Sequence, residues 1–474
     1  MEPKNVILWA ILPAIVVLVM STGVQAQELR EVPANDILEQ IEDGEDVYLD
    51  HVYVTGMLDL NKIELETVYI GRSERQLFWG LEEELKIVES KITIKNSVFG
   101  NDVNFHNAQF RKKIVFHGTA FSCKTNFRGA IFGDDVNFMY ASFGDDANFE
   151  SVSFGGYANF WYASFSDNTG FKDASFSSYA NFRDATFGGD IDFAFASFSD
   201  DANFEDTDFS GYADFEVGIF NGRAYFADAN FSGDANFASA IFSEGASFMH
   251  ATFSDDAYFW HAYFSGNTYF DSANFRGNAE FTSAEFDEVD FSNTAFFRSF
   301  ILYDADFKRI KVSWTSIKDL YSFDGPTYIK LIKNFRDLEQ FEDADDAYYQ
   351  YRQVSQANKN WSLSKLEDVV AWFTCGYGVK PEYPLIWGVG IILGSAFIYW
   401  LGSGIRRLKE IDEDDNRVSF LDAFYFSMVT FTTLGYGDWY PVGRYRIVVI
   451  IEGLIGWLLL ALFLVTLANV MIRP

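Results

Sequence analysis

The sequence predicts a multidomain chain: a square β-solenoid, a helical connector, and an all-α transmembrane helix–loop–helix module. Three observations predict it. From residue 99 to residue 286, phenylalanine recurs without a miss in alternating steps of six and five. Two apolar runs of spanning length, 384–401 and 447–472, lie near the C-terminus. Between them stands TFTTLGYGDWYP, residues 430–441. The chain has 474 residues, too many for one ordinary core, and 52 of them are Phe, which points to a repeat.

The repeat needs a fold that tolerates five-and-six spacing. No helical face recurs at that interval. A flat hairpin sheet would need turn signals at strand-length intervals and period-two alternation, and neither is present. A square solenoid fits. Each side carries one inward Phe and, two positions earlier, one inward small residue, such as Ala158, Ala163, Ala174 and Ala180. Four sides make a coil of 22 residues, so residues 22 apart share a column. Phe then stacks on Phe at roughly 4.8 Å, the strand spacing of a sheet. Asn137, Asn159, Asn181 and Asn203 fall in one such column, where amides can hydrogen-bond up the stack.

With these residues quoted, the segment 90–307 resembles the pentapeptide-repeat family, in the variant with alternating steps. The resemblance implies a right-handed quadrilateral β-helix. Ahead of it, the alternation in DVYLDHVYVTGMLDL and LKIVESKITIKNSVF predicts strands that form the first coils and cap the open end. GLEEELK, residues 80–86, is expected as a short helix or loop over that end.

Charge narrows the partners. The formal net charge is −32, which disfavours nucleic acid and anionic lipid surfaces. Residues 99–307 hold 31 Asp and Glu against 10 Lys and Arg, mostly facing outward. Acidic members of the family mimic DNA, but a membrane tether argues against that role, and solubility explains the charge. Outward Trp161, Tyr162 and Trp260 leave a protein or glycan partner open. His106, His117, His250 and His261 do not pair at 22-residue offsets, and His51 stands alone, so no metal site is expected there. Two cysteines, Cys123 and Cys375, imply no disulfide framework. No nucleophile–base pair, phosphate loop or cofactor motif suggests an enzyme.

Residues 1–26 are read as a signal peptide cleaved after Ala26, or as an uncleaved N-terminal anchor. Residues 27–98 are the β-rich cap and first coils, and 99–307 the β-helix. Residues 308–382 form a helical hairpin and an interfacial connector, and 383–474 the membrane module. In the connector, Ile329, Ile332, Phe335 and Leu338 share one helical face, and Ala344, Ala347, Tyr348 and Tyr351 a second, with a break expected near 342–345. Trp372, Phe373 and Tyr377 suit a membrane interface.

TFTTLGYGDWYP carries the chemistry. Stripping water from a cation needs a column of close, inward oxygens, and a backbone supplies them only where side chains stay clear. Gly435 and Gly437 permit left-handed angles, Thr433 adds a hydroxyl, Tyr436 can wedge outward, and Asp438 follows. FLDAFYFSMVTFTT suits a short re-entrant helix capped by Ser419. In this context TTLGYGD resembles the two-transmembrane potassium-channel pore domain, over residues 384–472. The resemblance implies K+ held by the filter Thr432, Thr433, Leu434, Gly435, Tyr436, Gly437 and Asp438, without cofactor, in a homotetramer within the lipid bilayer. Leu434 stands where the family most often has Val. Val429 stands where some members have an acid, so filter stability is expected to rest on Tyr436 and Trp439.

Gly453, Gly456 and Glu452 are the gating candidates in the second span. Each glycine is either a hinge or a close-packing residue. Glu452 either acts in gating or hydrogen-bonds behind the filter. For orientation, residues 402–446 carry six Lys and Arg and residues 360–382 carry two. The positive-inside rule then favours an extracytoplasmic β-helix and an inverted pore, although EIDEDDNR makes the first link acidic. The expected function is a tetrameric K+-selective channel subunit, multi-pass in the cell membrane, with the β-helix as scaffold, vestibule or sensor. The alternative is a non-conducting, membrane-anchored interaction protein.

Overall fold

The computed structural model describes residues 29–321, 324–408 and 418–472. The expected signal or anchor segment and most of the acidic link lie outside them. The chain divides into two compact units, one up to residue 322 and one from residue 323.

The first unit is a parallel β-solenoid. Its sheets have 12, 11 and 21 strands, the last wrapping two faces. Most strands are only two residues long because each side of the coil turns after its inward Phe. Successive coils pair at a 22-residue offset, as in Ala158 with Ala180 and Phe165 with Phe187. Phe182 lies 4.8 Å from Phe160 and 4.9 Å from Phe204, with ring planes 3° and 0° apart. It also meets Phe193 edge-on at 5.4 Å and 85°. The ring-to-ring distance that aromatic stacking favours matches the strand spacing, so backbone bonding and packing are satisfied by one rise.

One corner in two is left-handed, at most of them without glycine. Tyr140, Ser151, Tyr162 and Asp173 have φ of 59°, 54°, 54° and 55°, eleven residues apart. The Asn column leads into the corners at Tyr140, Tyr162, Asp184 and Asp206. Its members stand in register, but among the four only Asn181 bonds up the stack, to Asn159 Oδ1 at 3.4 Å. The amide oxygens of Asn137, Asn159, Asn181 and Asn203 instead accept the N–H two residues on, at 2.8, 3.1, 3.1 and 2.8 Å. These are local turns leading into the positive-φ residue; Asn159 Oδ1 accepts from both the Trp161 N–H and Asn181, while the Asn181 and Asn203 amides also donate to the hydroxyls of Tyr157 and Tyr179. Near the end, the step from Phe286 to Phe291 is five where six is due. The pairing slips between Phe264 and Asn267, and Phe275 then meets Phe296, one residue short of the 22-residue offset.

Helix α1 (Ala34–Glu42) buries Ala34, Ile37, Leu38 and Ile41 on the first coil. The strands expected to form the first coils do so, and the open end is covered by α1 rather than by them. Residues 80–86 differ from the expectation too. Glu84–Val88 is a solenoid strand with Leu85 and Ile87 inward. The helix is α2 (Glu74–Phe78), and its segment runs along the side of the rod over one corner column. Arg72 donates to the Gly129 carbonyl at 2.7 Å, Arg75 lies 4.3 Å from the Phe195 ring centre, and Trp79 meets Phe195 at 6.1 Å. The last coil is closed by α3 (Trp314–Ile317), which buries both terminal side chains, and by Tyr321 bridging to Phe300.

The second unit is helical. Helices α4 (Gly325–Asp337) and α5 (Phe341–Asn358) form the hairpin, and the break falls at 338–340 rather than 342–345. Glu342 and Asp343 sit in the first turn of α5, where acids suit the helix dipole, so the acidic stretch starts a helix instead of breaking one. Helix α6 (Leu363–Cys375) is tied to α5 by Asp368, which accepts from Arg352 at 2.7 Å and Lys359 at 2.5 Å. Lys359 first, then Arg352, hold the Asp368 carboxyl below its ordinary value against the opposing effect of burial. Tyr377 is buried and its phenol is pushed up to about 12. Among the described residues, two helices are long and apolar enough to cross a membrane, α7 (Glu382–Leu401) and α9 (Tyr445–Met471), and between them lies α8 (Phe420–Phe431).

Phe182→Ala should remove two ring stacks and leave a cavity that neighbours locked in register cannot fill. A loss of about 3–5 kcal/mol is expected, read as a lowered denaturation midpoint of the solenoid transition. An unchanged midpoint would show that the column is not the stabilising core.

Candidate functional site

The loop after α8 is positioned from both ends. Helix α8 begins with a capping box. Ser419 Oγ accepts from the Asp422 N–H at 3.1 Å, and the Asp422 carboxylate accepts from the Ser419 N–H at 3.2 Å. Ser419 is the cap the sequence marks. The helix ends at Thr432, whose hydroxyl donates to the Met428 carbonyl at 2.7 Å. The backbone then alternates in hand, with positive φ at Thr433 (55°), Gly435 (59°) and Gly437 (73°) but not at Leu434 or Tyr436. Glycine adopts these angles freely. Thr433 is β-branched and would resist. Its conformation is held by its own N–H bonding the Thr430 carbonyl at 3.1 Å and by Leu434 N–H bonding the Val429 carbonyl at 3.0 Å.

Beyond the loop, Trp439–Pro441 pairs antiparallel with Ile405–Arg407, and Leu408 N–H donates to the Asp438 carbonyl at 2.9 Å. The segment after α7 is thereby stitched to the segment after the loop. Trp439 packs on a cluster of Ala396, Tyr399, Ile405, Ala423 and Phe426. Tyr445 lies against Gly402 and Gly404, where any side chain would collide with it. The sequence reading missed this ribbon. Its signal, a three-residue strand beside acidic residues, is too short to separate from a loop.

Residues 433–438 are all exposed, with Leu434 at 64% and Tyr436 at 69%. A cleft of about 620 Å³ separates the loop from α9, and Thr433, Gly435, Gly437, Asp438 and Gly453 line it. The family model described as "Ion channel" matches residues 386–473. The one described as "Pentapeptide repeats (9 copies)" matches residues 105–153, 127–175 and 219–262. The chain is a pentapeptide-repeat solenoid joined to an ion-channel domain. No curated protein and no solved structure matches it.

The channel domain is of the two-span type, and its loop is braced from behind. Of the two residues expected to support the loop, Trp439 is packed within this chain, whereas Tyr436 is largely exposed. Glu452 does not line the cleft. It is buried, accepts from the Tyr399 hydroxyl at 2.7 Å, and is hydrogen-bonded to Ser427. Of the readings left open for Glu452, its hydrogen bonds are those of a residue behind the loop. Gly456 is a close-approach position. A Cβ there would collide with the Phe431 carbonyl and stand 3.0 Å from Phe431 Cα. Across the ring, a Cβ on Gly388 of α7 would lie 3.1 Å from Phe431 Cζ. Phe431 is therefore seated between two glycines, one from each span, directly before Thr432. Gly453 has room, with Thr430 O at 3.8 Å. Helix α9 is unbroken through both glycines.

On the solenoid, sequence reasoning weighed histidines and missed carboxylates. Asp145, Asp146 and Asp167 converge, as do Asp234, Asp255 and Asp256, with ligand atoms within 4.8 Å in each group. Asp146 is also bound to Lys124 at 2.9 Å. These groups carry no conserved-motif signal in a single sequence, because acids are common at every corner.

Gly456→Ala should displace Phe431 and the loop behind it, whereas Gly453→Ala should not. An overpacked contact costs about 1–3 kcal/mol. Ion flux into proteoliposomes is expected to fall at least about tenfold for the first variant, the factor that 1.4 kcal/mol represents, and to stay near wild type for the second. A hinge at Gly453 would reverse the order.

Proposed function

We propose that the chain is one subunit of a tetrameric, K+-selective channel, with Thr432, Thr433, Leu434, Gly435, Tyr436, Gly437 and Asp438 as its filter. The observation that carries this reading is the alternating backbone at 433, 435 and 437, exposed at the end of a capped helix between two spans. Carbonyls set free of helix and sheet can replace the hydration shell of a cation. One chain supplies one such loop, and four around an axis are needed to surround an ion. The exposure of Leu434 and Tyr436 supports neighbours on either side. Asp438 adds a ring of carboxylates at the wide mouth, where it gathers cations.

The solenoid is the extracytoplasmic part of this channel, a scaffold or vestibule outside the membrane, and residues 308–382 couple it to the pore. Flanking charge supports that side, since Arg406, Arg407, Arg444 and Arg446 lie between the spans and only Lys365 and Lys380 lie just before them. The acidic surface keeps the rod solvated and free of polyanions.

Two measurements test this. Purified protein in liposomes should pass K+ in preference to Na+ and run at the mass of four chains, and Gly437→Ala should abolish the preference by straining a φ of 73°. Flux without preference, or a monomer that conducts nothing, sinks the reading. For the side of the membrane, Asp145→Cys in a background of Cys123→Ser and Cys375→Ser should react in intact cells with an impermeant thiol reagent. Labelling only after lysis would put the solenoid in the cytoplasm.

A further inference from the structure

Glu452 lies in the apolar interior of α9 and is 2% exposed. An ionised carboxylate there would need a cation or several donors. The groups that face it are Tyr399 and Ser395 from α7 and Ser427 from α8, and among the described residues no charged side chain acts on it. These partners can be checked by counting protons.

The Tyr399 hydroxyl donates to Glu452 Oε2 at 2.7 Å. Ser427 Oγ makes two contacts, one with the Ile392 carbonyl at 2.8 Å and one with Glu452 Oε1. Ser427 has one proton and a carbonyl oxygen can only accept, so that proton fills only one of the two contacts. The other is then two oxygens with no proton between them, unless the carboxyl brings one to Ser427 Oγ. Ser395 contributes one further contact and one further proton, which leaves the shortfall unchanged. We propose that Glu452 is held as a neutral carboxylic acid, and that its proton closes a hydrogen-bond chain fixing α8 to both spans.

This makes Glu452 a positioning residue for the conduction loop and rests on the reading of that loop given above. Ser427 lies one turn before Phe431 on α8, and Glu452 lies one turn before Gly456 on α9. The two helices are thus joined by two successive rungs: a hydrogen bond between Glu452 and Ser427, and the close contact of Gly456 with Phe431. The chain continues through Ser427 to the backbone of α7 at Ile392 and through Glu452 to Tyr399. Loss of the proton would remove the donor to Ser427 and leave a bare charge behind α8.

The test has two readouts on the full-length protein in liposomes. The infrared difference between wild type and Glu452→Gln near neutral pH should contain the carbonyl band of a protonated carboxylic acid. Its absence, or a carboxylate band in its place, overturns the inference. For flux, Glu452→Gln should keep K+ transport within about twofold of wild type, because an amide donates one bond and accepts another in the same places. Glu452→Leu should cut transport at least about tenfold while the assembly keeps its size, because Tyr399 and Ser427 lose their partner. A Gln variant as impaired as Leu, or a Leu variant as active as wild type, overturns it. The infrared readout needs no conduction. A wild-type protein that passes no K+ would therefore sink the channel reading while the infrared band still decides this one.

Discussion

Every backbone amide taken out of water must find a partner, and the two halves of this chain meet that demand in opposite ways. In the solenoid the partner is most often a neighbouring coil. Phe182 N–H bonds the Asn203 carbonyl at 2.7 Å, Phe204 N–H bonds Tyr225 at 2.7 Å, and the pattern continues along the rod. In the spans each helix satisfies its own backbone. Residues 434–437 belong to neither scheme. They lie outside helix and sheet and are exposed, so their carbonyls are not used up by helix or sheet bonding.

The solenoid was legible because its constraint is periodic. A 22-residue coil imposes the same environment at every column, so the Phe spacing reveals the fold even though no single coil would. The loop was legible because its glycines are needed for conformation rather than packing. The features that escaped are contacts between segments far apart in sequence. The strap at 72–79 lies over Gly129 and Phe195. Its trace in the sequence is weak: Gly129, Phe195 and Val217 interrupt a corner column that is otherwise polar from Asn107 to Ser283. Likewise the roles of Gly453 and Gly456 could not be separated by sequence, since both are glycines on one apolar helix. What distinguishes them is where Phe431 lies, and that depends on how α8 enters the bundle.

Around the loop the design is a rigid seat. Phe431 is gripped by Gly388 and Gly456, Ser427 is bound to Glu452, and Trp439 and the ribbon with Ile405–Arg407 fix the far side. Glycine here serves for close approach, which exchanges conformational freedom in the unfolded chain for backbone contact in the folded one. The polar contacts behind α8 matter for the same reason. A hydrogen bond between buried groups has a definite direction and length, whereas apolar surfaces can slide past each other in lipid, where no hydrophobic force holds them together. A loop that must hold its backbone angles without helix or sheet needs the first kind of contact close to it.

The other end of α9 is held differently. Helix α9 is continuous from Tyr445 to Met471, and both of its rungs to α8 fall in its first half. Its last turn meets the connector, where Asn469 stands beside Gly378, just after α6. That junction is built from positive-φ residues, Gly376, Tyr377 and Gly378. It is braced by Tyr377 bonding Gln356 and by Lys380 bonding Asp346 at 2.7 Å. The connector therefore touches α9 at the end farthest from the two rungs, and along one unbroken helix that contact is kept apart from the contacts that seat Phe431.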